Sequence, residues 1–354
     1  MKEIETLLAL YGGIPPVRYE IIDSSHGEED FRETILAEWN DRKLAIKAAC
    51  NDFTTPRRVE GWAATVQAFR SLRYYCPAFV PDRRGHLAQT LPYRGHACVV
   101  YAEEFAAYRT AEQLGAATLG CAEAALPEMI RFLGAVGSAH LTTADFPSGL
   151  CILEKFCPSD PCDEVMETSQ EFRDTLFARF PPLRARFDAI WARYLENAAE
   201  LEAIYPSLPV SVFQADIGAS NVLLDEAGRF AGVLDFNLCG RDSVLNNLFR
   251  TAFTAFSTVP CRETQNIFLD AALDRRALDD FCRIVRLSAA SYAYSDAEKT
   301  AAPLLYRFLR PFWWHPAAVI ARPSTDLALA AHILDWAERE QTREIGFPAL
   351  MEGL

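Results

Sequence analysis

The stretch Gln-Ala-Asp-Ile-Gly-Ala-Ser-Asn occupies residues 214–221, and the stretch Ala-Gly-Val-Leu-Asp-Phe occupies residues 231–236. The first follows an apolar segment, so Asp216 is expected in a tight loop just after a strand, with the amide of Asn221 behind it. In the second stretch a carboxylate, Asp235, ends an apolar run. Two carboxylates and an amide are therefore each predicted where a strand gives way to a loop.

These three polar groups suit phosphoryl transfer. Transfer from ATP needs a group that orients and deprotonates the attacking hydroxyl, and hard oxygen ligands that hold Mg²⁺ against the phosphates. Asp216, Asn221 and Asp235 supply those groups in that order. The alternative is that Asp216 and Asn221 only cap a loop and that Asp235 only ends a strand. The ordered series of strand, loop, hairpin and Asp-Phe favours the phosphoryl-transfer interpretation.

The series resembles the aminoglycoside phosphotransferase and choline kinase superfamily. Its catalytic loop runs His-x-Asp-x-x-x-x-Asn, and its metal-binding Asp opens an Asp-Phe-Gly-like turn. Here Gln214 replaces the usual His, and an amide can donate and accept hydrogen bonds in the same place. Residues 222–230 are typical of a short hairpin, with apolar arms around an acidic and Gly turn. Because that family uses such a connection, the hairpin makes the match more specific than Asp-x-x-x-x-Asn alone.

The resemblance implies an α+β, two-lobe protein-kinase-like fold. A small β-rich N-lobe at residues 1–102 would bind the nucleotide. A larger helical C-lobe at residues 103–354 would carry the catalytic loop, the metal site and the acceptor-binding helices. The implied activity is phosphorylation of a small-molecule hydroxyl by ATP and Mg²⁺, with Asp216 as the catalytic residue and Asn221 and Asp235 as metal ligands.

Two residues near the start of the chain are predicted to hold the nucleotide. Lys47 lies in the predicted strand Lys43–Ala49, among small side chains on one face. The resembling families use this lysine for the α- and β-phosphates, and the alternative is a solvated strand lysine. Thr55 is the expected N-cap of the next helix, in which Glu60 is the best-placed acid to pair with Lys47. The alternative for Glu60 is an exposed helix glutamate.

A strand at His96–Ala102 and the crossing that follows it are predicted to complete the N-lobe. Glu103, Glu104 and Phe105 form the expected crossing. In kinase-like folds backbone groups of such a connector commonly hold the adenine edge, so the resemblance makes these three residues cofactor-binding.

Two departures from the family pattern support a rival hypothesis, a nucleotide-binding or structural member of the fold that has lost turnover. One is Gln214. The other is the loop at residues 23–30, whose single glycine and three successive acids cannot wrap phosphates closely with backbone N–H groups. The intact acids and Lys47 oppose this hypothesis, since a decayed site would be expected to lose one of them.

Composition excludes several classes of protein. The chain has 354 residues, 50% of them apolar, which is ample for a buried core in two domains or lobes. A formal net charge of −13 and the lack of a Lys/Arg run argue against a nucleic-acid partner. The start carries acids where a signal peptide needs basic and apolar residues, and no apolar run reaches ~18 residues. We therefore expect a cytoplasmic protein without a membrane partner.

Cysteines and acids mark two further regions. The ten cysteines are scattered, and the closest group, Cys151, Cys157 and Cys162, lacks a C-x-x-C pair, so reduced thiols are expected rather than zinc ligands. The run Ser159–Glu171 holds five acids and no Lys or Arg. Such a run usually forms a solvated loop and a helix start. It also falls where the resembling kinases enclose their small-molecule acceptor, and there it would attract a cationic, amine-bearing one.

Overall fold

The computed structural model describes residues 2–27, 29–149, 165–259, 267–312 and 315–352. An antiparallel sheet of five strands, in the order β1-β2-β3-β5-β4, forms the centre of the first lobe. The strands are β1 (Arg18–Asp23), β2 (Phe31–Glu38), β3 (Lys43–Cys50), β4 (Ala88–Tyr93) and β5 (His96–Glu104). Two helices accompany them, α1 (Lys2–Tyr11) and α2 (Pro56–Ser71).

The two helices pack against opposite faces of this sheet. Alternation in β2 and β3 buries residues such as Ile35 and Ile46 on the face that α1 covers through Leu7 and Leu8. Helix α2 begins as predicted, because the Thr55 side chain accepts a hydrogen bond from the Arg58 N–H and Pro56 is the first helical residue. Its apolar side joins the main core, with Val59, Trp62, Val66 and Phe69 all buried.

The second lobe is mainly helical. Its helices are α3 (Leu126–Ser138), α4 (Val165–Arg179), α5 (Arg184–Ile204), α6 (Val244–Phe253), α7 (Ala271–Ser288), α8 (Asp296–Leu309), α9 (His315–Ala321), α10 (Leu327–Thr342) and α11 (Phe347–Met351). Short strands lie at the junction with the first lobe, namely β6 (Arg109–Thr110), β7 (Val210–Phe213), β8 (Val222–Leu224), β9 (Phe230–Val233) and β10 (Gly240–Ser243). The α+β, two-lobe fold predicted from the sequence is confirmed.

The junction strands support the two loops that carry the acids. Strand β7 pairs with β10, and the predicted hairpin of β8 and β9 extends β6 into a small sheet. The segment after α2 bonds to β9, with Tyr75 N donating to Ala231 O at 3.2 Å and Val233 N donating to Tyr75 O at 3.1 Å. Gly232 permits this approach, because a Cβ there would meet Tyr75 O at 1.7 Å. The two lobes are thereby joined beside the loop that carries Asp235.

The crossing between lobes begins later than predicted. Glu103 and Glu104 continue β5, because they pair with Ala45 and Leu44 of β3, and only Phe105 lies beyond the strand. The error arose because the apolar run ends at Ala102, whereas the backbone pairing continues through two charged residues.

The sequence analysis also made predictions about cysteines, an acidic run and membrane spans. Cys151, Cys157, Cys162 and the acids Asp160, Asp163 and Glu164 lie outside the described residues. Where the structure describes cysteines they are free, and Cys76, Cys98 and Cys239 are buried. None of the described helices has the length and apolar character to cross a membrane.

Candidate active site

Two sharp strand exits position Asp216 and Asp235. Asp216 follows β7 after Ala215, whose φ is 70°, and Asp235 follows β9 with a φ of 60°. Side-chain-bearing residues seldom adopt this left-handed conformation, which costs on the order of 1 kcal/mol and concentrates at functional sites. The backbone therefore turns sharply after both strands. The two carboxylates lie close enough for the charge of Asp235 to raise the pKa of Asp216.

The side chain of Gln214 ties these two loops together. Its Nε2 donates to the backbone oxygens of Leu234 at 3.0 Å and Asp235 at 2.6 Å. Its Oε1 accepts from the backbone N–H of Asp216 at 2.8 Å. Gln214 is buried, so each of these groups would be costly to leave unpaired. The amide therefore donates and accepts at the position where the family usually has His.

Asn221 holds the carboxylate of Asp216 in place. Its Nδ2 donates to Asp216 Oδ2 at 2.7 Å and to the Asp216 carbonyl at 2.9 Å. Its own carbonyl accepts from Leu234 N at 2.9 Å, which links it to the second loop. In the described part of the chain, Asn221 Oδ1 and Asp216 Oδ1 make no hydrogen bond, so both oxygens are available to a ligand.

The environment of Asp216 favours its protonated form. Burial raises its pKa to about 6, and the nearby charge of Asp235 acts in the same direction. The hydrogen bond from Asn221 and the positive charge of Arg32 oppose the shift. Because a pKa of about 6 still lies below neutral pH, the carboxylate is mostly ionised at pH 7. The raised pKa also makes it a better proton acceptor than an ordinary aspartate.

Lys47 reaches from the first lobe to the loop of Asp235. Its Nζ lies 3.0 Å from Asp235 Oδ1 and 3.2 Å from Glu103 Oε1, with its ammonium 5.9 Å from the centre of the Tyr101 ring. Burial disfavours the ammonium, but the charges of Asp235 and Glu103 prevail and raise the pKa of Lys47 well above its usual value. Lys47 is therefore a fixed cation on the cleft side of the sheet.

The predicted pairing of Glu60 with Lys47 is wrong, because Glu60 is exposed. Helix α2 instead turns Trp62 inward, where its ring meets that of Tyr101 at 5.9 Å. Since consecutive helical residues differ by 100°, Glu60 lies roughly 200° around the helix from Trp62 and faces away. The helix phase that buries the tryptophan thus excludes the glutamate from the cleft.

Glu103 of β5 supplies the acid that Glu60 does not. It is 6% exposed and stands opposite Ala45, on the same sheet face as Lys47. Burial raises the pKa of Glu103, and the charge of Lys47 opposes that shift. The signal that could have found this role is the alternation in β5, which places Glu103 on the same face as Tyr101, the residue opposite Lys47.

The other two connector residues do not offer backbone donors to a nucleotide base. Glu104 N donates to Ala78 O at 2.8 Å, and Phe105 N donates to Lys43 O at 3.2 Å. The Glu104 carboxylate accepts from Ala78 N at 3.1 Å and from Arg70 at 3.3 Å. Both N–H groups therefore already have backbone partners. The half-exposed ring of Phe105 instead lines a cavity of about 370 Å³, together with residues of β1, β2 and β3.

The donor set fits Mg²⁺. Asp235, whose side chain is 33% exposed, offers a carboxylate, and Asn221 offers an unpaired amide oxygen. Within the described ranges no three His, Cys, Asp or Glu residues cluster as a complete metal cage. Mg²⁺ typically binds one or two protein oxygens and completes its shell with water and substrate phosphates. Asp235 and Asn221 are the residues that would hold it.

The profile of the phosphotransferase enzyme family matches residues 54–281, well over half of the chain. The fold is similar to that of a microcompartment-associated aminopropanol kinase (15% identity, 96% of this chain and 98% of that chain, TM-score 0.56). It is also similar to an amicoumacin kinase solved with AMP-PNP, Ca²⁺ and Ami (12%, 98% and 96%, 0.54). A third similar structure is an aminoglycoside phosphotransferase from Alicyclobacillus acidocaldarius (12% identity, 98% of this chain and 94% of that chain, TM-score 0.52).

A comparison with curated protein sequences gives no significant match. The structural similarities, at these identities, establish the two-lobe fold, and the family profile establishes the class of chemistry. The chain therefore belongs to the phosphotransferase enzyme family and is a small-molecule phosphotransferase with a protein-kinase-like fold.

Proposed function

We propose that this phosphotransferase uses ATP and Mg²⁺ to phosphorylate a hydroxyl group of a small molecule. The observation that carries the proposal is the contact across the cleft, in which Lys47 Nζ lies 3.0 Å from Asp235 Oδ1. It supports a role for Lys47 in binding phosphate and for Asp235 in binding the metal, because the two side chains lie side by side. Gln214 bonds the same loop to the one that presents Asp216. A base, a metal ligand and a cation thus converge at one point between the lobes.

Asp216 is the proposed catalytic base. Asn221 occupies its Oδ2, which leaves Oδ1 to accept a hydrogen bond from the acceptor hydroxyl and then its proton. The pKa of about 6 keeps the carboxylate ionised at neutral pH. A positioned base of this kind contributes about 10² to 10⁴-fold to a rate.

Lys47, fixed by Glu103, would bind the phosphates of the donor, while Asp235 and Asn221 would hold Mg²⁺. The bound metal would neutralise charge on the phosphates. Without a nucleotide, one ammonium contacts two carboxylates, and Asp216 adds a third negative charge near Asp235. This excess of negative charge favours a divalent cation in the cleft. The complete set of groups supports turnover rather than a non-catalytic role.

The acceptor is proposed to carry at least one ammonium group. The chain has a net charge of −13, and its acid run leads into α4, where Glu171 is exposed. Carboxylates near an acceptor would attract a cation and repel an anion. Two of the structurally similar proteins are named for amine-bearing compounds, aminopropanol and aminoglycosides.

The first experiment measures ATP consumption with Mg²⁺ against a panel of amino alcohols, aminoglycosides and sugars. Asp235→Ala should abolish both Mg²⁺-dependent ATP binding and turnover, because one neutral amide cannot replace an anionic ligand. Glu60→Ala, which removes an exposed acid of α2, is the matched control and should change neither. Unchanged affinity and activity in Asp235→Ala would sink the assignment.

A second experiment tests the charge of the acceptor. Once a turned-over compound is known, charge reversal at Asp163 and Glu164 should raise its KM. Reversal of the exposed Glu196, on α5, is the control and should leave KM unchanged. A neutral or anionic acceptor, or an unchanged KM in the first pair of variants, contradicts the cationic-acceptor proposal.

A further inference from the structure

We propose that Arg32 of β2 binds a phosphate group of the nucleotide donor, in place of the backbone cradle that the loop at residues 23–30 cannot form. The inference rests on the proposed function, because it requires a phosphate-bearing donor in the cleft. The loop carries one glycine, Gly27, and its acids would repel phosphate. A side chain is therefore needed to do what N–H groups do in a glycine-rich loop.

Strand register places Arg32 beside Lys47. Thr34 pairs with Lys47 and Arg32 pairs with Ala49 across β2 and β3. Directly opposed residues of antiparallel strands share a face, so Arg32 and Lys47 are diagonal neighbours on the cleft side. Backbone positions related in this way are typically about 7–8 Å apart. Two cationic side chains therefore lie next to each other where the donor phosphates are proposed to bind.

The guanidinium of Arg32 is held rigidly on one edge. Nε donates to Asp30 Oδ1 at 2.7 Å, and Nη2 donates to Asp30 Oδ2 at 2.5 Å. Asp30 is buried and also accepts from Asn51 Nδ2 at 2.8 Å. The plane of the guanidinium lies over the ring of Phe53, 4.8 Å from its centre. A fork fixed in this way loses little further freedom when it binds an anion.

The opposite edge of the same guanidinium is unoccupied by the described protein atoms. Nη1 makes no hydrogen bond within the described part of the chain, and the side chain is 24% exposed. A guanidinium has five N–H donors, so the outer edge remains free for a phosphate oxygen. Asp30 neutralises the charge only on the inner edge.

Packing and electrostatics place Arg32 near the proposed reaction centre. Phe53, beneath the guanidinium, packs against Leu238, which follows Asp235 in the metal-binding loop. The positive charge of Arg32 acts on two cleft residues, lowering the pKa of Asp216 and that of Tyr101 against the effect of burial. Arg32 is thus close enough to the carboxylates to affect a phosphate bound between them.

A bracing role for Arg32 is the alternative that the experiment must separate. The backbone N–H of Arg32 donates to Ser25 Oγ at 2.9 Å, so this residue also shapes the loop. A brace would affect every ligand of the cleft alike. A phosphate contact would affect only ligands that carry the contacted phosphate and would leave the nucleoside untouched.

The experiment measures dissociation constants of ATP with Mg²⁺, ADP with Mg²⁺ and adenosine by titration calorimetry on the full chain. Arg32→Met, which retains length without charge, should weaken ATP binding about tenfold or more and change adenosine binding by less than about twofold. Arg84→Met removes an exposed arginine of the same lobe and should leave all three constants unchanged. Thermal unfolding of each variant verifies folding.

Two results would overturn the inference: ATP affinity within about twofold of wild type in Arg32→Met, or an equal loss for adenosine and ATP. If Arg32→Met does not fold, Arg32→Lys retains a cation for Asp30 but lacks the outer fork, and the same selective loss of ATP affinity decides the matter. Wild-type protein that binds no ATP with Mg²⁺ would instead refute the proposed function.

Discussion

Asp216 and Asp242 have similarly raised pKa values but differ in exposure and in the number of hydrogen bonds that each carboxylate accepts. Burial is the main cause in both cases, and it raises each pKa to about 6. Asp242, in β10, is 3% exposed. Its Oδ1 accepts from Tyr205 at 2.9 Å and from Ser243 N at 2.7 Å, and its Oδ2 accepts from Asn246 at 2.7 Å.

Asp216, by contrast, is only partly buried, and among the described residues its carboxylate has one side-chain partner, Asn221. The difference shows that a raised pKa alone does not identify a catalytic acid or base, because burial produces it at structural positions too. Access and an unpaired oxygen distinguish the two sites. Asp242 anchors β10 to the start of α6 and to the turn at Tyr205–Ser207, whereas Asp216 is open to a substrate.

The largest expected effect concerns activity. Asp216→Asn should lower kcat about 10³-fold, since it removes the proposed base while Asn221 can still donate to the new amide oxygen. Asp242→Asn should keep kcat within about tenfold of wild type, because its side chain faces the protein interior. Steady-state kinetics with circular dichroism as a folding check compares the two. Similar losses of kcat in both variants would break the distinction.

Measurements of stability should rank the two positions in the opposite order, with the larger effect at Asp242. Asp242→Ala removes the acceptor of several hydrogen bonds in a buried site and should cost ~3 kcal/mol of unfolding free energy. Asp216→Asn should cause no loss. Urea titration monitored by tryptophan fluorescence gives both values, and a stable Asp242→Ala protein would show that its network contributes little.

Glu103 tests a third environment, a carboxylate that is buried and also faces the cleft. Glu103→Gln should raise the KM for ATP about tenfold, since the ammonium of Lys47 loses one of its two charged partners. Glu60→Gln is the matched control and should stay within about twofold, as that side chain is exposed. If the Glu60 variant proves the weaker enzyme, the helical glutamate has the role that we assign to the strand.

The raised pKa of Asp216 predicts a pH-dependent difference in stability. The folded state binds the proton more tightly than the unfolded chain, so the stability from this group is present below about pH 4 and is lost as the pH rises through about 6. Asp216→Asn lacks this loss. Its melting temperature, measured with chelator present, should exceed that of wild type at pH 8 and match it near pH 4. A difference that grows toward low pH would contradict the assigned shift.

The smallest effect is expected at Gln214. Gln214→His should fold and retain activity within about tenfold, a barrier change of ~1.4 kcal/mol, because either side chain can donate to one carbonyl and accept from Asp216 N. The loop would then keep its conformation, with Asp216 still accessible to a substrate. A collapse of thermal stability would show that the loop depends on both of the hydrogen bonds that Gln214 donates.

The series from β7 through the hairpin to Asp235 was predictable from the sequence, as were the Thr55 cap and the strand carrying Lys47. Each depends on neighbours a few residues apart, through apolar alternation, a glycine turn or a capping side chain. The resemblance to the kinase families added the two-lobe fold. The partner of Lys47 was not predictable in this way, because the sequence indicated Glu60, and only the strand register and the helix phase identify Glu103.

The sequence by itself therefore determined the order of the elements and the chemical types of the acids at their ends. Only the tertiary structure decided which acid meets Lys47, which edge of Arg32 is free and which of the two aspartates with a raised pKa is accessible. The physical reason is range: backbone preferences act between neighbouring residues, whereas these choices depend on packing between segments far apart, such as β3 with β5 and Gln214 with Leu234.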